Sequence, residues 1–473
     1  MATFPSPTLQ NLTVNGVTSV QDSAGVTQPV TQGQLASTAA GKGAALVGTL
    51  QNGTGAAPRT ALAKLNESVS VVDFGADPTG VADSTTAFVN ALATGKSVLI
   101  PDGHYLVTEG AITIATNGQA LRGTAETTYA TGSYTGGGVL IECTTNAGQP
   151  VLAIGANVTW PEIGNMAIIR SAAPGTLVAG SSGIKCNGLT EYANIHNVIV
   201  NNCFIGFELQ STGYSYFRYC AAQNCTNAGV YISNTPGFNA CQWQISQVIS
   251  QGNGSSGFIV TSFATGGSTQ VSMGNWDHVS TYANTGHGLQ VSGVAGCPIQ
   301  SMRVDTSFFG QDNSDEIYLS SYGTNHQFSN IFIELAGTIA TGPTLGTPAS
   351  NIGHGMSIDA NNAHTSISNC IINNNSYSGI DTSCNGLVIS NCQITNNSHS
   401  APGTYTGITV NAAGVINTIT GCLIANTTAS TQNYGIYNNG TLNVCVGNDL
   451  KTNLAGNYGG VAAIIGGATL NNQ

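Results

Sequence analysis

Short bursts of alternating apolar and polar residues recur through most of this chain, each opened by a glycine. They read SGIKC (Gly183), IGFEL (Gly206), AGVYI (Gly229), SGFIV (Gly257), HGLQV (Gly288), HGMSI (Gly355), SGIDT (Gly379), TGITV (Gly407) and YGIYN (Gly435). DEIYL fills the same slot with Glu316 in place of glycine, and the successive gaps are 23, 23, 28, 31, 28, 39, 24, 28 and 28 residues. Alternation with a period of two predicts strands, and a repeat of 20 to 50 residues predicts stacked structural units. No helical period lies between the bursts, so the expected fold is an all-β, parallel β-solenoid.

A second column aligns with the first. It runs I195-H-N-V, F217-R-Y-C, I245-S-Q-V, W276-D-H-V, V304-D-T-S, F328-S-N-I, I367-S-N-C, I389-S-N-C and I419-T-G-C. Its first and fourth positions belong inside, the latter stacking Val198, Cys220, Val248, Val279, Ser307, Ile331, Cys370, Cys392 and Cys422. Its third position, with Asn197, Asn330, Asn369 and Asn391, predicts an asparagine ladder at a turn. Its second position points outward and reads His196, Arg218, Ser246, Asp277, Asp305, Ser329, Ser368, Ser390 and Thr420.

Ahead of the repeats, Val69, Val71 and Phe74 flank a short strand and ADPTG (76–80) is a turn. Asp83 or Ser84 can then cap a helix that buries Ala87, Phe88, Ala91 and Leu92, closing the open end of the stack. Residues 1–66 are rich in Thr, Gln, Gly and Ala without a strong period, and predict a stem ordered by partner chains. The expected organisation is stem 1–66, solenoid start with capping helix 67–125, solenoid body 126–458 and C-terminal tail 459–473.

The run VSVVDFGADPTGVADSTTAFVNAL…SVLIPDGHYLV resembles the opening of the pectate-lyase-like right-handed parallel β-helices of phage tailspikes. GAALVG (43–48) and KLNESVSVVDFGA resemble the neck-to-body junction of many phage tail proteins. These motifs cover about 65 residues and are specific for architecture, not for activity. The resemblance implies a homotrimer attached through its N-terminus to a phage tail or baseplate protein, often cleaving capsule or O-antigen chains. It places the chain on the virion tail, acting outside the cell on bacterial surface polysaccharide. One departure is the short stretch after Gly435, which shows no further trimerisation or binding domain.

Composition sharpens the picture. Only 7% of the residues are charged, against 41% hydrophobic, and the formal net charge is −11 with ten Lys and Arg. Nucleic acid and anionic membranes need a basic face, so neither is an expected partner, and a strongly acidic polysaccharide is a less natural ligand. Twelve cysteines without metal-like spacing sit in apolar repeats and are expected to be buried and reduced. The start MATFPSPTLQNLTVNG has no signal-peptide pattern and no stretch of 18 apolar residues exists. The expectation is folding in a bacterial cytoplasm, with no membrane insertion, metal or cofactor.

Candidate chemistry concentrates in the central coils. Stacking at about 4.8 Å would set Asp277 and Asp305 side by side, as a glycosidase pair in which mutual repulsion raises one pKa, or as two solvated carboxylates. Glu334 in IFIEL could complete a wider pair with Asp305. Asp312, Asp315 and Glu316 form an acidic run, either a turn or a site for Ca²⁺ or a catalytic acid. Arg218 and Arg303 could clamp a carboxylate or sugar hydroxyl, or pair with a neighbouring acid, Glu208 being the obvious partner for Arg218. His278 sits at a turn and could be the base of a lyase. Tyr216, Tyr219, Tyr231, Tyr282 and Tyr318 are groove candidates or trimer contacts, while Phe217 and Trp276 belong to the inward column. The leading expectation is a polysaccharide-binding hydrolase using Asp277, Asp305 and Glu334. A non-catalytic receptor-binding fibre, a lyase and a purely structural spike are the alternatives.

Overall fold

The computed structural model describes residues 19–21, 27–29, 32–125, 137–173, 176–210, 213–234, 241–263, 271–336, 353–427 and 431–460. Most of the tail expected at 459–473 therefore lies outside the described residues. The chain divides into two compact units, Met1–Val69 and Ser70–Gln473.

In the first unit, Gly48–Thr49 pairs antiparallel with Arg59–Thr60. The helix Ala61–Leu65 follows, its first turn capped by the Thr60 hydroxyl, which accepts from the Ala63 N–H at 3.0 Å. Lys64 and Arg59 both pair with Glu67 beyond its end.

The second unit is a right-handed parallel β-helix. Each full coil carries three strands, as in Ser215–Arg218, Ala221–Gln223 and Val230–Ser233. Coil after coil these strands pair in parallel register, giving three ladders that we number in that order. The IHNV-type column builds the first ladder, and the glycine-led bursts build the third. Alternation sets the core: Ile195, Phe217, Ile245, Trp276, Val304, Phe328, Ile367, Ile389 and Ile419 are all buried, as is the fourth-position stack. All twelve cysteines are free and buried, as the apolar repeats require.

The third position of the first-ladder column is the corner between the first two ladders. Asn165, Asn197, Tyr219, Gln247, His278, Thr306, Asn330, Asn369 and Asn391 all have φ between 46° and 59° there. This left-handed turn explains the asparagines. Their hydrogen-bonded ladder is only partial, however: Asn197 donates to Asn165, whereas Asn330 donates to Asp305. The more continuous amide ladders run inside the next corner, from Asn253 through Asn284 to Asp312, and from Asn375 through Asn397 and Gln432 to Asn453.

The helix Thr85–Ala93 buries Ala87, Phe88, Ala91 and Leu92. Asp83 accepts from the Thr85 N–H at 2.9 Å at its start. Arg170, fully buried, pairs with Glu109 at 2.7 Å and donates to the carbonyls of Thr145, Gln149 and Ser182. No helix among the described residues is long and apolar enough to cross a membrane.

Candidate functional site

The outward face of the first ladder carries two columns of polar side chains. One contains Arg122, Gly164, His196, Arg218, Ser246, Asp277, Asp305 and Ser329, each in register with the next. The other, two residues earlier on each strand, contains Glu162, Asn194, Tyr216, Gln244, Asn275, Arg303 and Gln327. Asp277, Asp305, Arg218 and Arg303 therefore share one face, because strand alternation sends all four side chains the same way.

Asp277 and Asp305 are direct neighbours across adjacent coils. Asp277 is half-exposed, accepts from Ser246 Oγ at 2.9 Å and lies 3.0 Å from His278 Nδ1. His278 sits in the corner with φ of 52°, the turn position expected for it. Asp305 is not a member of the pair whose pKa is raised. Partial burial pushes its carboxyl up, but Asn330 Nδ2 at 2.7 Å and Ser329 Oγ at 2.9 Å, with Thr306, more than offset this and hold it below the usual carboxylate range.

Several other expectations are corrected. Glu334 lies on the second ladder, between Gly310 and Asn373, across the Thr306 corner from Asp305. It does not extend the aspartate pair, although burial raises its pKa. Glu208 belongs to the third ladder and pairs with Lys185 at 2.7 Å, not with Arg218. The tyrosines form no single row. Tyr219 stands at the first corner, Tyr282 on the second ladder, and Tyr231 and Tyr318 on the third. Tyr318 donates to Asp359 at 3.2 Å. Asp312 and Glu316 are wholly buried, so they do not face a groove. Among the described residues no cluster of three or more His, Cys, Asp or Glu is arranged to hold a metal ion.

A feature absent from the expectations lies in the earlier coils of this same face. Trp160, Pro161, Glu162, Tyr192, Asn194, Tyr216 and Arg218 line a cleft of about 300 Å³. Trp160 and Tyr192 stack at 4.2 Å with planes 6° apart, and Tyr214 continues the stack 6.1 Å from Tyr192. Glu162 is held by Arg122 at 2.5 Å and by His196 Nε2 at 2.8 Å. The His196 ring lies over Gly164, where a Cβ would stand 2.4 Å from Cε1, so a larger residue there would push the ring aside. A signal for the aromatic stack was present in the sequence: Trp160, Tyr192 and Tyr214 each stand four residues before Gly164, His196 and Arg218 of the outward column.

The family described as rhamnogalacturonase A/epimerase, pectate lyase-like, matches residues 68–204. The fold is the pectate-lyase-like parallel β-helix seen in phage tailspikes. Tailspike protein 3 of bacteriophage CBA120 superposes with a TM-score of 0.66 at 12% identity, covering 91% of this chain and 67% of that one. The A-module of a mannuronan C-5 epimerase from Azotobacter vinelandii gives 0.55 at 15% identity, covering 84% and 100%. The pre-mature gene product 12 of bacteriophage phi29 gives 0.52 at 13%, covering 84% and 56%. At these identities the likeness is one of fold. No curated protein sequence matches the chain.

Proposed function

We propose that this chain is a virion-associated tailspike, trimeric and attached through its N-terminal segment, that binds bacterial capsule or O-antigen and cleaves it by glycoside hydrolysis. The observation that carries the reading is the in-register pair Asp277–Asp305, partly exposed on a face that also presents Arg218 and Arg303. The tailspike and epimerase folds above support a polysaccharide as the ligand class. A groove along stacked coils suits an extended chain, and residues one coil apart stand about 4.8 Å from each other, close to the spacing of retaining glycosidases.

In this reading the two aspartates divide the labour. Asp305, stabilised as a carboxylate by Asn330 and Ser329, serves as nucleophile or base. Asp277 serves as the proton donor, oriented by Ser246 and His278. Arg303, on the same strand as Asp305, positions the sugar.

The test is incubation with purified surface polysaccharides of candidate hosts, followed by mass spectrometry of released oligosaccharides. Products heavier by one water than the anhydro repeat are expected, and Asp277→Asn and Asp305→Asn should each lower the rate roughly 10²-fold or more. Products lacking that water would indicate a lyase. Binding without product would indicate a receptor-binding fibre and remove both aspartates from catalysis.

A further inference from the structure

We propose that the cleft bounded by Trp160, Tyr192, Tyr216 and Arg218 is a docking subsite for an anionic sugar residue, one bearing a carboxylate. The proposal rests on the polysaccharide reading above and adds the ligand's charge and where it is held. It runs against the chain's formal charge of −11, so the local chemistry has to carry it.

The first support is the state of the charges. Glu162, the one acid of the cleft, is engaged by both Arg122 and His196. Arg218 has no ion-pair partner among the described residues, and its strand neighbours His196 and Ser246 offer no negative charge. An exposed guanidinium beside a neutralised carboxylate leaves the cleft complementary to an anion, and a carboxylate fits its planar fork with two hydrogen bonds.

The aromatic wall points the same way. Trp160 and Tyr192 both line the cleft and stack face to face, so the faces they turn to each other are closed to a ligand. The edge of an aromatic ring carries the positive lobe of its quadrupole, which favours oxygen-rich and anionic groups.

Position completes the argument. Arg218 is two coils from Asp277 along the same outward column, with Ser246 between them. Two coil spacings amount to about 10 Å, roughly the length of two sugar residues. A glycan lying along the column would have an acidic residue in the cleft and its scissile bond at the aspartates.

Trp160 provides its own reporter. It is 61% exposed, whereas Trp243 and Trp276, the other two tryptophans, are 0% and 1% exposed. The experiment uses the full chain and an array of purified bacterial capsular and O-antigen polysaccharides, acidic and neutral, together with each acidic polymer after chemical reduction of its carboxyls. The expected result is binding to an acidic polymer that shields Trp160 from acrylamide quenching. Carboxyl reduction, Arg218→Gln and Trp160→Ala should each weaken binding roughly tenfold or more. Glycan binding that survives both substitutions and carboxyl reduction would overturn the subsite while leaving the polysaccharide reading intact. A Trp160 already shielded in the free protein would also overturn it, marking the cleft as a contact between copies. Binding to no polymer by any variant would overturn both.

Discussion

Glu316 stands where nearly every neighbouring coil has glycine, and the amide ladder beside it explains why a carboxylic acid occupies the core. In that ladder the side-chain oxygen of one coil accepts the backbone N–H of the coil before it. Asn253 does this for Cys225, Asn284 for Asn253 and Asp312 for Asn284. The next ladder position is Ala336, which has no acceptor, and Glu316 Oε1 takes the Asp312 N–H at 3.0 Å instead. The arrangement avoids a buried unpaired donor but places two acids together. Burial pushes Asp312 up to about 6, and burial with the Asp312 charge beside it pushes Glu316 well above the usual range. A carboxyl whose folded pKa is raised contributes stability below its unfolded pKa and loses it as pH rises towards the folded value. The β-helix should therefore lose on the order of 3 kcal/mol from Asp312 between about pH 4 and pH 7. Glu316→Gln keeps the acceptor and removes the second acid, so it should raise the melting temperature at about pH 8 and flatten its fall with pH. A wild-type profile retained in the Glu316→Gln protein would show that the pair is not what titrates.

At the scale of the coil, the glycine column and the left-handed corners work as a unit. A Cβ on Gly206 would stand 2.5 Å from the Gly229 carbonyl oxygen of the next coil and 2.9 Å from the Ala222 Cβ. Neither neighbour can swing away, because one is backbone and the other a core methyl. Gly206→Ala should accordingly cost about 1–3 kcal/mol, measured by denaturant unfolding, and an unchanged midpoint would contradict this packing. The same rigidity made the repeat legible. A stack at one spacing forces equivalent residues into register, so the IHNV column read inward and outward positions directly from alternation. The corners were legible as turns through their asparagines, but how the chain bends at each one was not. That bend assigns Glu334 and Tyr282 to the second ladder, and Glu208, Tyr231 and Tyr318 to the third. Sequence proximity, which suggested Glu208 for Arg218, carries no information across a corner. Trp160 was not legible as part of the repeat because its coil precedes the first glycine-led burst, at Gly183. The pKa of Asp305 depends on Asn330, whose side chain was expected to bond within its own ladder.

For the whole molecule, the outward side of the second ladder bears on the proposed trimer. Ile249, Phe308, Phe332 and Ile371 project there from four of five successive coils, with only Ser280 interrupting them. Ile249 and Ile371 are exposed, and the rings of Phe308 and Phe332 stack at 5.8 Å. Strand alternation normally reserves such positions for polar side chains, as in the first-ladder column from His196 to Ser329. A stripe of large apolar groups running along a β-helix axis is suited to pack against a second copy of itself. Other tyrosines considered as trimer contacts, such as Tyr231 and Tyr318, lie on the third ladder and would not meet it. The purified chain should sediment as a trimer, and the double substitution Phe308→Ser, Phe332→Ser should shift it towards monomer at micromolar concentration. Both changes remove apolar surface from a partly exposed position, so the monomer should keep its coils and its far-ultraviolet circular dichroism. A wild-type monomer would remove the trimer from the proposal. A trimer undisturbed by the double substitution would place the contact on another ladder, and would leave the stripe without a partner of its own kind.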